Sequence, residues 1–172
     1  MIEKMDSTKK EHVLGFKSLI KKAMKQKKHL KWVYPTIKSY DLRKARKIIS
    51  YYDMYFIRND NEIIGMLDVY PKNTCGNCGM PPKDPNLIDI AYFILSEYSG
   101  KGLGKKAVQE AIMLLKSKGK KISACTAKIN EVSINMLKGL GFKKVRNCSK
   151  NRGYSCYFID GKPVDGIKWR LG

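Results

Sequence analysis

The sequence has no long apolar run, either at its first residues or further along. No stretch of its 172 residues approaches the roughly 18 to 20 apolar residues that a membrane-spanning helix needs. The first residues, from Met1 to Asp6, lack the apolar segment of a secretory signal. We therefore expect a cytoplasmic protein without a membrane partner.

Acidic residues are scarce. The chain has 15 Asp and Glu against 35 Lys and Arg, for a net charge of +20, and residues 1–50 carry fifteen basic residues against four acidic ones. This basic protein should attract an anionic partner, which could be a phosphorylated cofactor, an acidic protein or RNA, and should repel polyamines. The alternative interpretation is a solvated Lys-rich surface, because only six of the basic residues are Arg.

Cysteine is also scarce, and its count of five is odd, which disfavours a disulfide framework. Cys75 and Cys78, in Thr-Cys-Gly-Asn-Cys-Gly, have the spacing of a zinc knuckle. A zinc site would need two further ligands, for which Cys148 and Cys156 are the candidates. We favour free or redox-paired loop thiols and no bound metal, with zinc as the alternative.

The length and a hydrophobic fraction of 43% predict a single domain over residues 1–172. Apolar residues recur at helical spacing in 10–28 and 42–49, and the runs around Asn59-Asp60-Asn61 predict a β-hairpin. Residues 71–87, rich in Cys, Pro and Gly, predict an insertion. After it we predict a strand at 88–95, a helix ending at Gly119, a strand at 122–129, a helix over 133–140, and closing strands at 142–146, 154–159 and 167–171.

A glycine-rich turn joins the strand at 88–95 to the next helix. Its sequence is Ser99-Gly100-Lys101-Gly102-Leu103-Gly104-Lys105. Consecutive N–H groups in such a turn can bind phosphate, with a tight strand-to-helix connection as the alternative. A Walker A loop is disfavoured because no Ser or Thr follows Lys105, and a dinucleotide fingerprint because Lys105 replaces its third glycine.

Two segments resemble the GNAT superfamily of acyl-CoA-dependent N-acyltransferases. Residues 88–118 are similar to its strand, Arg/Gln-x-x-Gly-x-Gly/Ala loop and helix, with Ser99 in place of Arg or Gln. The run from Asn130 to Phe142 resembles its Asn-x-x-Ser/Ala…Leu-Gly-Phe segment, in the form closest to ribosomal-protein N-terminal acetyltransferases. The resemblance implies an α/β (α+β) fold, a mixed and mostly antiparallel sheet flanked by helices, with a short or missing first strand.

The resemblance also implies acetyl-CoA as the acyl donor. The glycine-rich turn should then bind the diphosphate, and the strand before it should pair with pantetheine. Leu137 stands where many relatives have a Tyr as general acid, so the proton donor is unassigned. The cofactor residues that it implies are Phe93, Ile94, Leu95, Ser99, Gly100, Lys101, Gly102, Leu103, Gly104, Lys105, Asn130 and Ser133, with a helix N-cap as the alternative for Asn130.

Acyl transfer to an amine needs a neutral nucleophile. Asp89 is the candidate general base, acting through water, with an edge-facing surface carboxylate as the alternative. An α-amine, with a pKa of about 7.7–8.0, is neutral more often than a Lys amine at about 10.4, which favours a protein N-terminus as acceptor. The predicted function is an N-acetyltransferase acting on a protein N-terminus or a ribosome-associated protein. The alternatives are a small-molecule amine, aminoacyl-tRNA, or a non-catalytic RNA- or ribosome-binding module that uses the basic N-terminal helices.

Overall fold

A computed structural model describes residues 1–26, 41–71, 84, 86–148, 157–159 and 162–172. Its helices are α1 (Lys10–Lys25), α2 (Leu42–Tyr51), α3 (Leu103–Ser117) and α4 (Glu131–Gly139), and a 3-10 turn covers Ser96–Tyr98. Its strands are β1 (Ile2–Lys4), β2 (Asp53–Asn59), β3 (Glu62–Pro71), β4 (Leu87–Ile94), β5 (Lys121–Ala127), β6 (Phe142–Cys148), β7 (Tyr157–Ile159), β8 (Lys162–Val164) and β9 (Gly166–Leu171).

Seven strands form one sheet in the order β1-β2-β3-β4-β5-β9-β6. Only the β4–β5 pair in this sheet is parallel, so the predicted mixed and mostly antiparallel sheet is confirmed. The first strand is short, at three residues. The predicted hairpin is β2–β3, and Asp60 in its turn has a φ of 51°, a left-handed conformation that Asp tolerates.

The prediction of the closing strands was partly wrong. β7 does not join the main sheet but pairs with β8, which was not predicted, whereas β9 lies between β5 and β6. A strand pattern reports alternating side chains and not the identity of the partner strand, which explains the error. Residues 154–156 of one predicted strand lie outside the described residues, as does most of the insertion at 71–87.

Helices cover both faces of the main sheet. On one face α1 and α2 bury a core that contains Phe16 and Phe93. On the other face α3 and α4 bury a second core with Val108, Leu137 and Trp169. Because side chains alternate along a strand, neighbouring residues of β4 contribute to opposite cores. None of the described helices has the length and apolar character needed to cross a membrane.

The parallel strands β4 and β5 separate near the middle of the sheet. Their pairing stops at Ile90 opposite Ala124. Beyond that point β4 continues to Ile94 against β3, while β5 continues to Ala127 against β9. The end of β4 therefore has one edge without a β5 partner in the described part of the sheet.

Candidate functional site

A pocket of about 380 Å³ lies beside the unpaired end of β4, between the glycine-rich turn and the first turns of α4. Ten of the twelve cofactor residues predicted from the sequence border it. It is lined by Tyr92, Phe93, Ile94, Tyr98, Ser99, Gly100, Gly102, Leu103, Gly104, Lys105, Asn130, Val132, Ser133 and Met136. The fold thus brings together residues from two segments of the chain, 92–105 and 130–136.

The other two predicted cofactor residues, Leu95 and Lys101, do not line this pocket. The Leu95 side chain is 1% exposed and packs in the core beneath α1 and α2. The Lys101 ammonium lies 5.5 Å from the centroid of the Tyr98 ring, a distance typical of a cation–π contact. Lys101 therefore adds positive charge beside the glycine-rich turn.

The glycine-rich turn presents backbone amides at the start of α3. Gly100 and Gly102 have φ angles of 77° and 74°, which residues with a side chain rarely adopt. Gly102 is the N-cap, and the first helical bond runs from the Lys106 N–H to the Gly102 carbonyl at 3.1 Å. The amides between these two residues have no helical acceptor, and together with the helix dipole they favour an anion.

The unpaired edge of β4 presents further backbone groups. The Leu95 N–H donates to the Ile64 carbonyl at 2.8 Å, so Leu95 directs its backbone groups toward β3. Such groups alternate between the two edges of a strand in an antiparallel pair. Tyr92 and Ile94 therefore direct their N–H and C=O groups toward β5, where the two strands have separated.

Two side chains hold the first turn of α4 in place. Asn130 is the N-cap, because its Oδ1 accepts from the Ser133 N–H at 3.2 Å. The Ser133 hydroxyl in turn shares a hydrogen bond of 2.7 Å with the Tyr92 hydroxyl. Burial raises the pKa of Tyr92 to about 12, so its phenol is neutral at ordinary pH. Asn130 and Ser133 thus have both a structural role and a place in the pocket wall.

Asp89, the predicted general base, does not line the pocket but lies on β4 next to the last paired position. Its carboxylate accepts hydrogen bonds from the Ser123 hydroxyl and from Lys168, whose Nζ is 2.6 Å from Oδ2. The two charged side chains are 15% and 14% exposed. Their mutual charge offsets part of the cost of removing both from water. Asp89 is on the same face of β4 as Phe93, and Tyr92 is on the other.

Leu137 is wholly buried in the core beneath α3 and α4, at 0% exposed. It has no polar group to offer the pocket. Sequence reasoning missed Tyr92, although one signal was available. A tyrosine in an otherwise apolar strand needs a partner for its hydroxyl, and here that partner is the predicted site residue Ser133.

The cysteine prediction is largely outside the described residues. Cys75, Cys78 and Cys156 are not described, and Cys148 ends β6. Among the described residues there is no group of three or more His, Cys, Asp or Glu side chains placed to hold a metal ion. Free or redox-paired loop thiols stay the prediction, with the zinc knuckle as its alternative.

Solved structures share the whole fold. The alignment with the acetyltransferase of GNAT family from Streptococcus pneumoniae covers 99% of this chain and 97% of that one, with a TM-score of 0.73 and 11% identity. The alignment with the ribosomal-protein-alanine N-acetyltransferase from Brucella melitensis covers 99% of this chain and 98% of that one, with a TM-score of 0.71 and 12% identity. The alignment with yncA from Salmonella typhimurium, a putative acetyltransferase solved with its cofactor acetyl-CoA, covers 99% of this chain and 92% of that one. Its TM-score is 0.73 and the identity is 14%. At such low identities the likeness shows the fold alone.

The family is shown by the sequence itself. No curated protein matches the chain. The model of the acetyltransferase (GNAT) family, however, matches residues 18–142, which include the second half of α1, all of α2, α3 and α4, and the whole of the pocket wall. The glycine-rich turn, the separated strands and the capped α4 all lie within this match. The chain therefore belongs to the acetyltransferase (GNAT) family and is an acyl-CoA-dependent acetyltransferase.

Proposed function

We propose that the protein transfers an acetyl group from acetyl-CoA to a primary amine, and that the favoured acceptor is a protein N-terminus or a ribosome-associated protein. The observation that carries the cofactor assignment is the pocket itself. Phosphate-binding amides lie at one end of its wall, and an unpaired strand edge lies along its side. A diphosphate joined to an extended chain of amides matches both features.

Each part of the cofactor has a matching surface. The amides around Gly102, Leu103 and Gly104 would bind the diphosphate, with Lys101 and Lys105 adding positive charge. The pantetheine arm would lie along β4 like an added strand and pair with the groups of Tyr92 and Ile94, in addition to the predicted Phe93–Leu95 segment. Ser99 and Gly100 would border the diphosphate, and Asn130 and Ser133 the arm.

The chemistry needs one proton to leave the amine. The neutral amine attacks the thioester carbonyl, the carbon–sulfur bond breaks, and the thiolate takes a proton to leave as CoA. We assign Asp89 as the base that receives the amine proton through water. Its position beside the last paired residue of β4 supports this assignment, and Lys168 keeps its carboxylate oriented.

The acceptor assignment is supported by charge and by proton affinity. The net charge of +20 disfavours polycationic amines. An α-amine needs a weaker base than a Lys amine does, since its pKa is lower by roughly 2.5. A cytoplasmic location and the ribosomal-protein branch remain parts of this proposal. A comparison of peptide N-termini, a polyamine, amino acids and aminoacyl-tRNA, with products identified by mass, tests it.

The first experiment is calorimetric titration of acetyl-CoA into the protein and into two glycine variants. Gly102→Asp places a carboxylate where the diphosphate should bind, so we expect binding to be lost. Gly119→Asp is the matched control, because Gly119 also has a positive φ, of 69°, open space around it, and a place at the opposite end of α3. Equal affinities in all three proteins, or no binding in any, would contradict the proposed cofactor.

A second candidate function is RNA or ribosome contact through α2. This helix exposes Arg43, Lys44, Arg46 and Lys47 and contains no acidic residue. RNA binding that falls with salt, in a protein that transfers no acetyl group to any amine, would favour this function over catalysis.

A further inference from the structure

The Asp89–Lys168 ion pair lies where β4 and β5 separate. The last pair between these strands joins Ile90 to Ala124, and Asp89 comes one position before it. Lys168, on β9, is paired with Cys125, the first residue of β5 beyond that point. Its Nζ is nevertheless 2.6 Å from the Asp89 Oδ2, so its side chain crosses over β5 to reach β4. The positive charge of Lys168 is therefore held at the closed end of the gap.

The closed end of the gap is where the proposed reaction would take place. A pantetheine arm that starts at the glycine-rich turn can run back along β4 only as far as the gap stays open, which is to Ile90. The pocket wall begins at Tyr92, two positions away, so the ion pair lies just past its inner end. The sulfur at the end of the arm would then lie close to Asp89 and Lys168.

The reaction moves a negative charge from one atom to another at this place. As the nitrogen–carbon bond forms and the carbon–sulfur bond breaks, the amine proton passes through water to Asp89 and the sulfur becomes a thiolate. Protonation cancels the charge of Asp89, so Lys168 loses its counter-ion when the thiolate appears. Leu137, where many relatives have a Tyr, has no polar group to offer the thiolate. An ammonium already in place can stabilise it without reorganisation.

Other charged side chains share this face of the sheet. The register places Asp68 on β3, Arg146 on β6 and Arg170 on β9 on the same face as Lys168. Arg146 is one strand further from β4, and Arg170 is exposed to solvent. Lys168 is 14% exposed and is bonded to the proposed base, so its charge is less screened by water.

We propose that Lys168 stabilises the thiolate that leaves the thioester. The proposal rests on the proposed function, because it requires CoA in the pocket and Asp89 as the base. The proton then passes from Asp89 to the sulfur, CoA leaves as a thiol, and the Asp89–Lys168 pair forms again. Lys168 keeps its protons throughout and exchanges one counter-ion for another.

The experiment follows the ionisation of the thiol of bound CoA by the ultraviolet absorbance of the thiolate, with the desulfo-CoA complex as the baseline. Asp89→Asn leaves Lys168 without its carboxylate, as protonation does in the reaction. We expect the thiol bound to this variant to ionise about one pH unit or more below that of free CoA, because a nearby cation stabilises an anion. The double variant Asp89→Asn/Lys168→Met should lose the shift.

Asp53→Asn is the matched control. It leaves Lys4 without its carboxylate partner, at 2.7 Å, but on β1 and β2, away from the pocket. The thiol of CoA bound to this variant should therefore ionise as it does in the unaltered protein. The double variant at Asp89 and Lys168 removes both members of the pair, so it leaves no uncompensated charge in the fold. Circular dichroism of each variant checks that the fold is intact.

Turnover gives a second measurement that needs no substitution at Asp89. Lys168→Met removes the charge and should lower kcat about a hundredfold, as loss of a transition-state contact does. Lys168→Arg keeps the charge and should keep kcat within about tenfold of the unaltered protein.

Three outcomes overturn the inference. An unshifted thiol in Asp89→Asn, or an equal shift in the double variant, means that Lys168 does not act on the sulfur. An unchanged kcat in Lys168→Met means that its charge is not needed for the reaction. No CoA binding by the unaltered protein overturns the proposed function, and this inference with it, and is recognised without any variant.

Discussion

At the residue scale, Asp89 has a structural role in addition to the chemical role proposed for it. Its carboxylate is hydrogen-bonded to Ser123 and Lys168 in a largely buried ion pair. Loss of one member of such a pair usually destabilises a protein, because the other charge stays buried without compensation. A test of catalysis at Asp89 must therefore separate turnover from folding.

We expect Asp89→Asn to lower kcat at least tenfold while the Kd for acetyl-CoA stays within about twofold, because a base contributes to the chemical step and not to cofactor binding. Asp53→Asn is the matched control, since Asp53 is also a strand carboxylate, paired with Lys4 at 2.7 Å. Steady-state kinetics and calorimetry give the two quantities. An unchanged kcat in Asp89→Asn would remove Asp89 from the mechanism.

The local role of a residue could be predicted from the sequence better than the side chains that it contacts. The N-cap alternative for Asn130 follows from local sequence and agrees with the structure. The Tyr92–Ser133 and Asp89–Lys168 contacts join distant positions, and no local pattern contains them. Leu137 is recognisable as a departure from the family motif, but its burial depends on the packing of the whole α4 face.

At the element scale, β3 and β4 approach each other closely at Gly65. A Cβ at this position would lie 2.2 Å from the Phe93 carbonyl oxygen and 3.1 Å from the Ile94 Cα. Both are main-chain atoms, so a side chain cannot be accommodated by a change of rotamer. Because Phe93 and Ile94 also line the pocket, the spacing of this strand pair affects the site.

We expect Gly65→Ala to lower the free energy of unfolding by about 2 kcal/mol or more, as overpacking against rigid backbone does. Gly15→Ala is the control. Its Cβ would meet the tip of the Ile63 side chain at 2.8 Å, which can move, and the helix gains up to about 1 kcal/mol of propensity. Urea unfolding of both variants measures the difference. Similar midpoints for the two would show that β3 and β4 can separate at little cost.

Most elements could be predicted from their periodicity, and their arrangement could not. The helices and the β2–β3 hairpin have strong local patterns and good turn residues. The insertion of β9 between β5 and β6 depends on which edges are available once the earlier strands have paired. β7 and β8 are three-residue strands, too short for a clear alternation.

At the scale of the whole molecule, the net charge of +20 should assist the approach of any polyanionic ligand. We expect the Kd for acetyl-CoA to rise severalfold between roughly 50 mM and 500 mM NaCl, because salt shortens the range of the attraction to a few ångströms. Pantetheine, which has no phosphate, is the matched ligand and should show little change. Identical salt profiles for the two ligands would mean that the excess charge serves another partner.

The overall class, with helices covering a main sheet, could be expected from the order of the elements, because alternating helices and strands have few packing solutions. The acceptor could not be predicted from the sequence. Its binding surface depends on side chains that no motif specifies, and charge alone excludes only polycations.

The separation of β4 and β5 also reverses the usual order of protection against hydrogen exchange. Central strands normally exchange their amide protons more slowly than edge strands do. Here the N–H groups of Tyr92 and Ile94 lie at the centre of a seven-stranded sheet, yet face a gap. Their exchange should be fast for their position, and a ligand that pairs with β4 as an added strand should slow it. Two amide protons would then report occupancy of the site without any assay of turnover.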